Sequence, residues 1–82
     1  MDSSPILAWF QGDGARWFTE VAIADAEPGD ALLVKVRRIP HHLAIFLPGQ
    51  NLLHVTHERG VEIIRISPAW LRFTDRVFRP RL

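Results

Sequence analysis

A chain of 82 residues with 48% apolar residues, three Trp and five Phe has the composition of one small globular domain. At this length it buries only about 60–65% of the surface that its unfolded form exposes. It contains no cysteine, which excludes disulfides, thiolate metal sites and a thiol nucleophile. No apolar stretch approaches the roughly 18 residues that a membrane helix needs, and no basic region followed by an apolar run opens the chain, so neither membrane insertion nor a secretion signal is expected.

The net charge of +1 conceals an asymmetry. Residues 1–30 carry Asp2, Asp13, Glu20, Asp25, Glu27 and Asp30 against Arg16 alone, whereas Arg72, Arg76, Arg79 and Arg81 crowd the C-terminal end. A basic end can meet nucleic acid or an acidic partner. These arginines alternate with Trp70, Phe73, Val77 and Phe78, however, and read as the wet edge of a terminal strand, so nucleic acid is not the expected partner.

In chain order, Ser4 can cap a helix and Pro5 suits its first position, where a missing N–H costs nothing. Ile6, Leu7, Trp9 and Phe10 give that helix an apolar surface, and Gln11-Gly12-Asp13-Gly14 breaks it. A second helix is expected from Ala15 to about Ile23. Glu27-Pro28-Gly29-Asp30 is a tight turn. Strands follow at Ala31 to Arg37, His42 to Leu47, Asn51 to Thr56 and Val61 to Ile66, joined by turns at Pro48-Gly49 and Glu58-Arg59-Gly60 into an antiparallel meander. Ser67-Pro68 starts a short helical turn over 68–73, and Thr74 to Arg79 is a last strand that Pro80 ends or places at an edge. The expected fold is α+β over a single compact or truncated domain, 1–82. Residues 1–26 form a helical N-terminal part, and 27–80 form a small antiparallel five-stranded sheet. Trp9, Trp17 and Trp70 are candidates for contacts with a ligand, but in so small a domain each is expected in the core.

All four histidines, His41, His42, His54 and His57, fall in the middle of the meander. If the loop at Pro48-Gly49 has an odd number of residues, Leu47 pairs with Asn51 and His54 sits opposite Ala44, diagonal to His42 on the same face, with Cα atoms about 7–8 Å apart. An even loop puts the two on opposite faces. His57 falls on the other face from His54, as does His41 from His42 if the strand already begins there. A four-histidine metal site is therefore not expected, nor is any other cofactor.

Pro28-Gly29-Asp30-Ala31-Leu32-Leu33-Val34, then His42-Leu43-Ala44-Ile45-Phe46-Leu47-Pro48-Gly49, then Leu52-Leu53-His54-Val55 resemble the "PGDLLxF … HVGIYLG … FIHA" succession of the NlpC/P60 papain-like cell-wall peptidases. The close, Ser67-Pro68-Ala69-Trp70-Leu71-Arg72 through Val77-Phe78-Arg79-Pro80, is similar to the "SPWWRRR … FRFP" ending of phage-tail and gene-transfer-agent members. The likeness runs from about residue 27 to residue 80. It implies a half-barrel sheet in which His42 holds the place of the catalytic base and His54 that of the residue orienting it.

The family's nucleophile is a cysteine at a helix N-terminus, activated by a nearby imidazole. This chain has none. Either the cysteine lies on another polypeptide or has been lost, or Asp2-Ser3-Ser4-Pro5-Ile6-Leu7 is a shortened counterpart of the family's "DCSGLV" start with Ser3 in the cysteine's place. A serine hydroxyl, with its far higher pKa, is a poorer nucleophile beside a lone histidine pair. The resemblance thus implies a catalytically inactive domain in a phage tail tip or tail-assembly apparatus, with other tail proteins and peptidoglycan peptides as partners. The location implied is the virion, or the bacterial cytoplasm during assembly. The alternatives are a residual or partner-completed peptidoglycan peptide hydrolase and a murein-binding module.

Overall fold

A computed structural model describes the backbone of residues 4–36, 39–56 and 59–82, with side chains for all of these except 36, 39–41 and 56. Ser4 caps the first helix, α1 (Pro5–Gln11), its Oγ accepting from the Leu7 N–H at 3.1 Å, and Pro5 occupies the first turn. Such a cap contributes about 1 kcal/mol. Isolated helices shorter than about 12–15 residues are marginal, so α1 depends on docking. Its buried Phe10 stacks on Phe78 with centroids 4.2 Å apart and rings 3° from parallel.

The second helix expected from Ala15 to Ile23 is not formed. In its place are a 3₁₀ turn (Asp13–Arg16), the strand β1 (Phe18–Val21) and another 3₁₀ turn (Ile23–Asp25). The cause is a distant partner: β1 pairs antiparallel with the C-terminal strand β6 (Thr74–Pro80), Phe18 opposite Pro80 and Val21 opposite Val77. The sheet therefore has six strands rather than five. Between β1 and β6 in sequence lie β2 (Ala31–Val36), β3 (Ile39–Leu47), β4 (Asn51–Thr56), β5 (Gly60–Arg65) and the short helix α2 (Pro68–Phe73). The spatial order is β1-β6-β2-β3-β4-β5.

This order corrects the reading of the C-terminal strand as an edge, since β6 lies between β1 and β2, and Pro80 stands at its end. It also accounts for the charge asymmetry. Two arginines of the basic end meet acids of the N-terminal third: Arg76 bonds Glu20 at 3.1 Å, and Arg79 bonds Asp30 through Nε and Nη2, each at 3.0 Å. Asp30 is buried, and its Oδ2 also accepts from the Glu27 N–H, closing the turn in which Gly29 adopts φ 99°. The hydrogen bond to Asp30 raises the Arg79 pKa above the ordinary guanidinium range. By linkage, the arginine's share in the pair is complete below that range and lost only above it.

Alternation along the strands gives the sheet two faces. On one, Ala31, Leu33 and Phe78 pack with Phe10, and Ile6, Leu7, Phe18 and Ile45 surround them, so α1 covers this side. Its cover stops short of β4 and β5, where Val55, Val61 and Ile63 stand more than 60% exposed. On the other face Leu32, Val34, Ala44, Phe46, Leu52 and Val77 form the second cluster, covered by Val21, Ala26, Ile64, Ile66 and Trp70. Two of the three tryptophans depart from the expected core placement: Trp9 and Trp17 are 45% and 59% exposed. Small aromatic-rich domains cannot hide every ring, and here Phe10 and Phe18 occupy the space between α1 and the sheet.

Candidate functional site

The site begins with a turn. Leu47 pairs with Asn51 across the three residues Pro48, Gly49 and Gln50, and the last two adopt positive φ, 78° and 61°. The loop is odd, so the register places His54 opposite Ala44 and on one face with His42. The two rings meet: His42 Nε2 lies 3.2 Å from His54 Nδ1, within hydrogen-bond reach, with ring planes at 83°.

A third side chain completes the row. Glu62 on β5 lies opposite His54 in the β4–β5 register, and its Oε1 is 3.0 Å from His54 Nε2. Its other oxygen, Oε2, lies 3.4 Å from Arg59 Nη1. Glu62 was missed in the sequence, although the reasoning that joins His42 to His54, carried through the next turn, reaches it. That turn includes Glu58, which lies outside the described residues.

Two register shifts meet beside this row. Val34 pairs with His42 on one side and Thr74 on the other, whereas Lys35 pairs with Pro40 and Leu33 with Arg76. One extra residue thus enters β3 at His41 and one enters β6 at Asp75. Bulges of this kind bend a strand and re-aim its side chains. Lys35 and Asp75 pair with each other across the bulged end at 3.2 Å. Thr74 Oγ1 donates to the Trp70 carbonyl at 2.7 Å, which ties α2 to the sheet. Trp70 in turn sets its ring edge-on to His54 at 5.2 Å and tilted over His42 at 5.9 Å.

His54 is 7% exposed, His42 is half-buried, and among the described residues no buried side-chain nitrogen or oxygen lacks a partner. The arrangement is thus a hydrogen-bonded row of carboxylate, imidazole and imidazole, roofed by an indole. It can hold and move protons. No group of three or more metal-binding side chains occurs among the described residues.

Ser3, considered for the cysteine's place, lies outside the described residues, as does His57, and the side chain of His41 is not described. The helix that follows Ser3 packs through Phe10 on Ala31, Leu33 and Phe78, the face opposite the histidine row. On the histidine face itself, an apolar cleft of about 270 Å³ opens at the other end, lined by Ile23, Ala26, Phe46, Ile66 and Leu71 among others. No helix among the described residues is long and apolar enough to cross a membrane.

Comparison with protein-family models returns no match. Comparison with curated proteins returns none either.

Proposed function

We propose that the chain is a catalytically inactive NlpC/P60-like domain that serves as a structural or assembly element of a phage tail tip. The observation that supports this reading most is the contact of His42 Nε2 with His54 Nδ1 at 3.2 Å, in a chain with no cysteine. The two motif histidines stand as a base and its orienting residue would, on one sheet face, without the thiol they would serve. In this reading the fold is kept for its surfaces, and the partners are other tail proteins in the virion or during assembly. Digestion of purified murein tests it. The expected outcome is no release of stem peptides, and turnover that disappears on His42→Ala would overturn it.

A second reading, a hydrolase completed by a partner chain, draws on the completeness of the row: Glu62, His54 and His42 are hydrogen-bonded and roofed by Trp70. An electrophilic peptide probe, applied to the chain alone and with candidate tail proteins, separates a Ser3-dependent form from a partner-completed one by mass spectrometry. An adduct on Ser3 supports the first, an adduct on a partner's cysteine the second, and no adduct rejects both. The exposure of Trp9 and Trp17 also suits a murein-binding role, which tryptophan fluorescence would register on titration with murein fragments.

A further inference from the structure

We infer that the outer edge of β5 is a self-association surface, on which a second copy of this chain pairs antiparallel about a two-fold axis at Ile63. The sheet ends at β1 on one side and at β5 on the other. An edge strand presents unpaired N–H and C=O groups, and proteins guard such edges by keeping them short, charged or covered. β1 is guarded: it spans four residues, Phe18–Val21, lies between two 3₁₀ turns and carries Glu20 in an ion pair with Arg76. β5 is not. It runs for six residues, Gly60–Arg65, without a proline, and its one acid, Glu62, is already engaged by His54 and Arg59.

The ladder with β4 fixes which groups point outward. The Ile66 N–H donates to the Gln50 carbonyl at 2.8 Å, one step beyond the pair of Arg65 and Asn51. Bonded and non-bonded pairs alternate along an antiparallel ladder. Ile64 and Glu62 therefore bond toward β4, and Val61, Ile63 and Arg65 turn their N–H and C=O away from it. A two-fold axis perpendicular to the sheet at Ile63 sets Ile63 opposite Ile63 of the second copy and Val61 opposite its Arg65. These are the outward-pointing residues, so each pair exchanges two hydrogen bonds. Glu62 then lies opposite the second copy's Ile64. An axis at Glu62 would instead set the two Glu62 side chains directly opposite, where like charges repel. An axis at Ile64 would leave Val61 beyond the end of the facing strand.

The side chains suit the same partner. Val55, Val61 and Ile63 are 61%, 68% and 63% exposed, and they are neighbours, with Val55 opposite Val61 and Leu53 opposite Ile63. Apolar residues scattered singly are normal on a surface, whereas a contiguous row marks an interaction site. Across the axis each Ile63 shields the other, and each Val61 meets the aliphatic stem of the facing Arg65. Each copy offers one unguarded edge, so the pairing closes at two. A six-residue edge covers less than the about 800 Å² per partner of a standard interface. The dimer is accordingly weak, with a Kd on the order of 10–100 µM. It uses neither histidine and does not depend on the phage-tail reading.

Sedimentation velocity from about 5 to 500 µM, a range that brackets this Kd, tests the inference. The expected result is a rise from the mass of one chain to that of two. Ile63→Lys sets two ammonium groups opposite each other and should weaken association about tenfold or more. The side chain is exposed in the single chain, so the thermal melt of the dilute protein should be unchanged. The chain has no cysteine, so one introduced thiol reports its own position. In Ile63→Cys the two thiols face each other with Cα atoms about 5.5 Å apart, within disulfide reach, and mild oxidation should link the copies. In Val55→Cys, one strand farther from the axis in each copy, it should not. A single chain at every concentration, or a dimer untouched by Ile63→Lys, would overturn the inference. So would oxidation that links Val55→Cys and not Ile63→Cys, which would show the apolar faces stacked instead.

Discussion

The two faces of the sheet use the same strands for different ends. The face under α1 is dry and aromatic: Phe10 stacks on Phe78, and Phe18 meets Phe10 edge-on at 5.1 Å. Such ring pairs contribute about 0.5–1.5 kcal/mol each beyond their buried area. The opposite face begins as an aliphatic cluster around Leu32, Leu52 and Val77 and ends in the polar row of His42, His54 and Glu62. A buried polar row must satisfy every donor and acceptor and so contributes little net stability, while an unsatisfied member costs much. One face is therefore packed with rings, and the other gives part of its area to a polar row.

The largest effect that separates the faces is expected from Phe78→Ala. It removes a fully buried ring from the stack, and about 3–5 kcal/mol should be lost in urea denaturation. The imidazole spectra of the fraction that remains folded should be unchanged, and altered spectra would show that the faces are coupled. Trp70→Ala is the intermediate case. The ring is half-buried, and its loss should cost about 1.5–3 kcal/mol while also loosening both histidines, seen as broadened or shifted imidazole signals.

The smallest stability change should follow Glu62→Gln, which keeps a hydrogen-bond partner for His54 at a partly exposed position. A shift within about 1 kcal/mol is expected in urea denaturation. A large loss of stability there would mean that the row holds the sheet together, and the contrast between the faces would disappear.

The central hairpin was legible in the sequence because Pro48 and Gly49 mark a turn, but an odd and an even loop stayed open, and the three-residue loop of the structure decided between them. With the odd loop His42 and His54 come together on one face. The same local chemistry places Ser4 as a cap, Gly29 in its turn and the helical start at Pro68. Glu62 was hidden for a different reason. A lone glutamate in an alternating strand reads as a solvated residue until the hairpin register is carried on to it from β4.

Period, turn chemistry and capping are properties of neighbouring residues, and these the sequence determined by itself: the short helix after Ser4 and the three-strand meander. Tertiary structure alone decided what depends on a distant partner. Phe18 to Val21 became a strand because β6 offered unpaired backbone groups to bond. Arg76 and Arg79 found acid partners because Glu20 on β1 and Asp30 at the start of β2 flank β6 on its two sides. In each case the deciding energy is a contact between segments far apart in the chain, which no window of sequence contains.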